Sequence, residues 1–282
     1  MLYSLVMPAH NEEGILETTV DKILTTLQAE AIPTELILVE DNSTDATMAV
    51  AQRLQQRWPG IRIVQRTPPG GFGRAVRSGL EAVTGDVVAV VMADDSDDPR
   101  DIVAYYRKIE QGYDCVFGSR FRKGSVVKDY PWLKRLLNRL TNKLIQLLFW
   151  TRFNDITNAF KAYRTEVIRA CGPYTACHFN ITIEMSLSAL IRKYNIAEIP
   201  IHWYGRTWGS SSLRVTEMGR RYLAVLLKIF FERMLVSDDL LSERVAYRGR
   251  RERENDQLRE RLEEVESRLA VYEKTTTKRD AG

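Results

Sequence analysis

The sequence predicts an α/β protein, a doubly wound, mostly parallel sheet with helices on both faces. Three observations predict it. Between residues 3 and 118 short apolar runs alternate with amphipathic segments, the pattern of repeated strand–helix–strand crossovers. The run Val88-Ala89-Val90-Val91-Met92 has no polar alternation, as in a strand covered on both faces. Each run ends in polar or glycine-rich residues, which puts those loops on the edge where open α/β sheets hold ligands.

The elements follow in order. Strand one is Tyr3–Met7, and a helix after it runs to about Glu30 with Asn11 as its N-cap. Strand two, Leu36–Val39, ends in Glu40-Asp41-Asn42-Ser43-Thr44-Asp45, and its helix reaches Arg57. Asp41 and Asp45 sit where a ribose or base could be gripped; the competing reading of Asp41-Asn42-Ser43 is a helix cap. Strand three is Ile61–Val64. Gly70, Gly71 and Gly73 follow it and let backbone approach a ligand closely. Their spacing is not the dinucleotide-binding GxGxxG, and they follow the third strand rather than the first. Strand four ends in Asp94-Asp95-Ser96-Asp97-Asp98-Pro99, then come a helix to Gln111 and strand five at Cys115–Phe117. Four acids within five residues repel one another, and carboxylates of this kind suit a hard divalent ion. The bland alternative is a solvated loop whose Asp97 or Asp98 caps the helix after Pro99.

The middle of the chain changes character. Ser119–Gly124 is a basic loop, and Pro131–Trp150 is an amphipathic helix. Leu133, Leu136, Leu137, Leu140, Leu144, Leu147 and Leu148 form its stripe, with Lys134, Arg135, Arg139 and Lys143 off it. Such a helix lies in a membrane surface or packs on protein. A polar turn at 155–160 leads to a strand and a helix near 165–171; a helix at about 179–194 carries Glu184; and a strand spans Ile196–His202. A flexible loop with Arg206 follows, then an apolar block, Tyr222–Leu235, too short and too charged to span a bilayer. Beyond it Leu258, Leu262, Val265, Leu269 and Tyr272 recur at four-three spacing, a short coiled-coil seam or a lone charged helix. The expected organisation is a catalytic-type domain over 1–215, an interfacial helix over 216–237, a coiled coil over 238–274 and a disordered tail over 275–282.

Composition bounds the function. The chain has 282 residues and a net charge of only +4, so no nucleic-acid partner is expected. Its three cysteines have no zinc or redox spacing. Strand one starts at Tyr3, so no signal peptide is expected, and no apolar run is long enough to span a membrane. These readings point to a cytoplasmic protein, peripheral on the cytoplasmic face of a membrane.

Several of these segments together resemble a known family. Pro8-Ala9-His10-Asn11-Glu12, Val39–Asp45, Gly71-Phe72-Gly73-Arg74-Ala75 and Met92–Pro99 stand in the order found in family-two inverting glycosyltransferases with the GT-A fold. Gly118-Ser119-Arg120-Phe121 and Asp155–Arg164 resemble the dolichol- or polyprenyl-phosphate mannose synthase branch, which moves a hexose from a sugar nucleotide to a polyprenyl phosphate. The resemblance covers about residues 1–235. It implies donor contacts from Pro8, His10, Glu12, Asp41, Gly73, Asp94 and Asp95, with His10 where the family usually has Tyr. It implies Mg2+ or Mn2+ on Asp95 and Asp97, although Ala93 replaces the first family acid and Asp94 is an extra one. Arg120 and Arg206 match family arginines near the phosphates. The catalytic set is Asp95, Asp97, Arg120 and Arg206 from the resemblance, with Asp155 added as a candidate base.

A phosphate-monoester acceptor is already ionised at neutral pH, with a second pKa of about 6. It needs no strong base, which suits a chain with three histidines and no evident nucleophile–base pair. Arg120, Arg122 and Lys123 would clamp that phosphate. A saccharide acceptor would need a base, from Asp155 or from Glu184. A third reading is a nucleotide-binding scaffold without turnover. The expected partners are the nucleotide-sugar donor, linked to GDP or UDP, the polyprenyl phosphate, the membrane surface, and further copies of the chain through its C-terminal helices.

Overall fold

The computed structural model describes residues 1–205 and 215–235. β1 (Tyr3–Ala9), α1 (Leu16–Ala29), β2 (Thr34–Glu40), α2 (Thr47–Arg57), β3 (Ile61–Gln65), α3 (Phe72–Glu81), β4 (Val87–Val90), α4 (Pro99–Glu110) and β5 (Cys115–Ser119) alternate as the apolar pattern requires. They are followed by β6 (Val126–Lys128), α5 (Trp132–Phe149), β7 (Lys161–Arg164), α6 (Thr165–Cys171), α7 (Ile181–Ile191), β8 (Ile196–Pro200), β9 (His202–Tyr204) and α8 (Val215–Leu235). Seven strands form one sheet in the order β3-β2-β1-β4-β7-β5-β8, and β6 pairs with β9 in a small parallel ladder. Met1–Phe231 is one compact unit; of a second, Glu232–Gly282, only residues 232–235 are described. The coiled coil expected over 238–274 and the tail over 275–282 lie outside the described residues.

Burial explains the helices. α1 turns Leu16, Val20, Ile23, Leu24 and Leu27 to the sheet, the spacing of one helical face. Tyr3, Leu5 and Met7 of β1 pack with this helix and with α4 on one side. Val6, Ile37, Val39 and Val88 pack with Val76, Val167, Ile183 and Leu187 on the other. The sheet is therefore apolar on both faces, as an unalternating strand demands.

Two features set up the rim. The register pairs Ala9 with Glu40, so the residues just after β1 and β2, His10 and Asp41, emerge side by side. β7 is antiparallel to both β4 and β5, pairing Lys161 with Val90 and with Phe117. Because it runs backwards, its beginning, not its end, meets the carboxyl ends of the other strands. That brings the turn 155–160 to the same edge as the acidic turn.

Two local expectations differ, and a third, left open between a membrane surface and protein packing, is narrowed. Asn11 is not an N-cap: it has φ 56°, its amide oxygen accepts from the Thr44 N–H at 2.8 Å, and α1 starts only at Leu16. The cap of α2 comes from Asp45, whose Oδ1 accepts from the Thr47 N–H at 3.0 Å, rather than from Asp41-Asn42-Ser43. The leucine stripe of α5 faces solvent: Leu133, Leu136, Leu140, Leu144 and Leu147 are exposed, while Asn142, Ile145 and Phe149 are buried. Only Leu148 of that stripe packs against the core. α8 buries Val225, Leu226 and Ile229, exposes Leu223, Leu227 and Phe231, and meets α5 through an edge contact of Phe230 with Phe149, ring centroids 6.4 Å apart.

Candidate active site

At the β1–β2 end, the Asp41 carboxylate organises three loops. Oδ1 accepts from Arg66 Nη1 at 2.6 Å and from Asn42 Nδ2 at 2.9 Å; Oδ2 accepts from the Gly71 N–H at 2.6 Å. His10 Nδ1 lies 2.8 Å from the Asp41 carbonyl oxygen. Pro8 is half-buried beside them, and Glu12 is buried with its N–H donating to Thr47 Oγ1 at 2.8 Å. Pro8, His10, Glu12 and Asp41 therefore share one corner. Arg66 belongs to it too, and nothing in the sequence pattern singled it out.

Gly73 is packed against protein on one side. A Cβ there would meet the Ala176 and His178 carbonyl oxygens at 2.6 and 2.7 Å. Its missing side chain lets the backbone of 176–178 lie against the start of α3. Gly71, with φ 145°, does the same against the Cys177 carbonyl.

The acidic turn distributes its charges. Asp98 caps α4, its Oδ1 accepting from the Arg100 N–H at 2.9 Å, as the bland reading has it. Asp95, with φ 57°, turns to Lys22 of α1, whose Nζ is 2.9 Å from Oδ1. Asp94 and Asp97 are buried. Asp97 accepts from the Met92 N–H at 3.0 Å. Burial pushes its carboxyl up to about 8; the Met92 bond opposes this, the Asp94 and Asp101 charges add to it, and the Arg120 guanidinium opposes it. The Asp94 charge thus acts on Asp97, whereas Asp95 is directed to a lysine. Asp97 lies within reach of the Asp94, Asp101 and Arg120 charges, and Asp95, the other expected member of its metal pair, is engaged by Lys22. β9 closes over this turn: Trp203 bridges to Asp97, and the Tyr204 N–H donates to the Ser96 carbonyl at 3.0 Å.

Arg120 is locked on one flank. Nε and Nη2 each reach the Asp155 carboxylate at 2.8 Å, and the Arg120 N–H reaches it at 2.9 Å. Nη1 lies 3.5 Å from the Tyr130 hydroxyl, and the guanidinium stands over the Tyr130 ring at 5.4 Å. Burial works to lower the Arg120 pKa, but the charge and hydrogen bonds of Asp155 outweigh it, so the group stays cationic. Beneath it lies Lys161, 1% exposed, whose Nζ donates to the Ile156 carbonyl at 2.7 Å and to the Asn158 carbonyl. Burial pushes this amine down to about 7, against the pull of Asp155. Lys161 pins the 155–160 turn from below, a role the sequence did not announce. Arg122 is exposed and spends its charge on Glu198, 2.8 Å from the carbonyl and 3.2 Å from Oε2; Lys123 is exposed at the loop tip. Neither is tied into the Arg120 group. Arg206 lies outside the described residues.

Glu184, the other candidate base, is fully engaged. It accepts from the Thr175 and Ala176 N–H groups, the Thr175 hydroxyl and Lys228 Nζ at 2.6–3.1 Å. Burial raises its pKa, yet these donors more than offset that and hold it below the ordinary carboxylate value.

The donor chemistry of the turn fits a hard divalent ion: two buried carboxylates of one charge at the carboxyl end of β4. Among the described residues no group of three or more His, Cys, Asp or Glu converges. Further ligands would come from water and substrate oxygens, as is usual for Mg2+.

An open sheet with a ligand corner over β1–β3 and carboxylates at the end of β4 defines the class of nucleotide-binding α/β folds that hold their ligand at the switch point. Residues 4–172, more than half of the chain, match the family model for glycosyl transferase family 2, and the chain belongs to that family. It is 29% identical over 216 residues to the dolichol-phosphate mannosyltransferase of Pyrococcus furiosus, covering 76% of this chain and 60% of that protein. This chain therefore spans less than two thirds of that relative. It is 27% identical to the polyprenol monophosphomannose synthase of Mycolicibacterium smegmatis, over 74% of this chain and 80% of the other. Among solved structures it resembles glucosyl-3-phosphoglycerate synthase from Mycobacterium tuberculosis in complex with UDP, with TM-score 0.62, 22% identity, and 81% and 80% of the two chains covered. The same synthase with Mn2+, UDP-glucose and phosphoglyceric acid gives TM-score 0.62 at 20% identity, covering 81% of this chain and 79% of that one. The likeness shows the GT-A fold.

Proposed function

We propose that this chain transfers a hexose from a nucleoside-diphosphate sugar, linked to GDP or UDP, to a polyprenyl phosphate with inversion at the anomeric carbon. The observation that carries this reading is the commitment of both candidate bases. Asp155 is held by Arg120 and Glu184 by Lys228 and two backbone N–H groups. A hydroxyl acceptor would need one of them to take its proton. A phosphate acceptor brings its own charged oxygen, with a second pKa of about 6. The names of the Pyrococcus and Mycolicibacterium relatives support the same acceptor class.

The roles follow from chemistry. Pro8, His10, Glu12 and Asp41 form the corner for the nucleoside. Arg120, held rigid by Asp155, presents Nη1 to an anionic oxygen. Asp94 and Asp97 are the pair that would hold Mg2+ or Mn2+, with Asp95 reserved for Lys22. When bound, such an ion neutralises charge developing on the departing diphosphate. The exposed leucines of α5, with Arg135, Arg139 and Lys143 exposed beside them, suit an anionic bilayer in which the acceptor resides.

The test is a transfer assay: purified protein, radiolabelled GDP- and UDP-hexoses, polyprenyl phosphate in mixed micelles, and Mg2+ or Mn2+. The expected result is label in the organic phase that depends on both lipid and metal. Protein that binds the nucleotide yet labels no lipid phosphate would remove the acceptor assignment.

A further inference from the structure

α5 shows leucines to solvent on one side and asparagines to the protein on the other. Asn142 is 2% exposed in a helix whose other buried residues are Ile145 and Phe149. A buried carboxamide is costly unless its groups are bonded, and here they are. Its Oδ1 accepts from the Ile156 N–H at 2.7 Å and the Thr157 N–H at 3.3 Å. Its Nδ2 is shared among the Asn138 carbonyl at 2.9 Å, Asn138 Oδ1 at 3.0 Å and Thr157 Oγ1 at 3.0 Å. The Thr157 hydroxyl donates to Asn138 Oδ1 and lies 3.4 Å from Asp155 Oδ1. Asn138 Nδ2 donates to the Tyr130 hydroxyl at 2.6 Å, which returns to Arg120 Nη1 at 3.5 Å. With the backbone of the turn joining Asp155 to Thr157, the chain Arg120–Asp155–Thr157–Asn142–Asn138–Tyr130 closes on itself around the guanidinium.

An apolar residue would pack at position 142 without this cost. What the asparagines add is direction: hydrogen bonds fix the turn in one orientation, where apolar contact would let it slide. We infer that Asn138, Asn142 and Thr157 are positioning residues, which lock the Asp155–Thr157 turn onto α5 and so set the direction in which Arg120 offers its remaining N–H groups. The inference rests on the reading of Arg120 as the group that meets a phosphate, and it assigns the inner face of α5 to catalysis and not merely to packing.

The test uses Thr157→Val, which keeps the shape and removes the hydroxyl, Thr157→Ser, which keeps the hydroxyl, and Tyr130→Phe, which cuts the circuit at its other end. Two quantities are read on the full chain. One is solvent exchange of the Arg120 Nε–H by NMR on arginine-labelled protein, assigned with Arg120→Lys. The other is kcat and KM for transfer to polyprenyl phosphate. In the wild type and Thr157→Ser the Nε–H exchanges slowly. In Thr157→Val and Tyr130→Phe it exchanges roughly tenfold faster and kcat falls roughly tenfold, with the donor KM changed less than about twofold, because a small misplacement of a catalytic group costs rate before binding. Wild-type exchange and wild-type kcat in a folded Thr157→Val or Tyr130→Phe would overturn the inference. If Thr157→Val does not fold, Tyr130→Phe decides alone. Should the wild type label no lipid phosphate while Arg120 exchange still responds to these variants, the acceptor reading falls and the positioning role stands.

Discussion

Asp97 is buried at the end of β4 with a second carboxylate acting on it, an arrangement that favours its proton until a cation arrives to take the proton's place. Asp95 two residues earlier has its cation already, in Lys22. Substitution by asparagine therefore separates them. Asp94→Asn and Asp97→Asn are expected to lose about 3 kcal/mol of transition-state stabilisation, roughly a hundredfold in transfer rate. Asp95→Asn loses less than about tenfold, since it breaks a half-exposed ion pair. Steady-state rates at saturating metal check this, and an Asp95 variant as damaged as Asp97 would return the metal to Asp95. Glu184 provides a stability counterpart. Its folded pKa lies below the ordinary 4.5, so its contribution is fully present above that value and is lost as the pH falls through the folded pKa. Glu184→Gln is expected to cost about 1.5 kcal/mol at neutral pH, because the Thr175 and Ala176 N–H groups and the half-exposed Lys228 lose a charged acceptor. Urea unfolding at descending pH should show wild type and variant converging in acid.

Among the elements, α5 does two jobs on two faces. Its outward leucines leave a surface that water does not favour, and its inward asparagines reach the turn that carries Asp155. A triple Leu136→Ser, Leu140→Ser, Leu147→Ser variant removes roughly 1.5 kcal/mol of membrane burial per site, or on the order of a thousandfold in partition to anionic liposomes for the three together. Stability should move by less than about 0.5 kcal/mol, because these side chains are exposed in the fold. Cosedimentation equal to wild type would remove the bilayer contact. The leucine periodicity made this helix legible, but not which way it faced; the pair Asn138 and Asn142, one turn apart opposite the leucines, was the signal for its inner side. The β–α alternation to β5 was legible because unalternating runs leave no other cover. The antiparallel insertion of β7 was not, since Lys161-Ala162-Tyr163-Arg164 carries no mark of direction. The acid turn was legible as a site from its charge density. The contact of Asp95 with Lys22 was hidden because it depends on the left-handed backbone at Asp95, which spacing cannot report. Arg66 was hidden because its partner, Asp41, lies on a neighbouring strand's loop.

At the scale of the whole molecule, one sheet edge gathers the Asp41 corner, the acidic turn and a rigid guanidinium, while Asp155 and Glu184, the two candidate bases for a hydroxyl acceptor, are tied to cations. The account stands on the acceptor supplying its own negative oxygen. The most direct test is the pH dependence of kcat/KM with a polyprenyl phosphate and with the matching phosphonate, whose second ionisation lies higher. The acid limb should follow the acceptor and move upward by the difference between the two ionisations. A limb fixed at one pH for both acceptors would belong to a protein side chain acting as base, and would contradict the account.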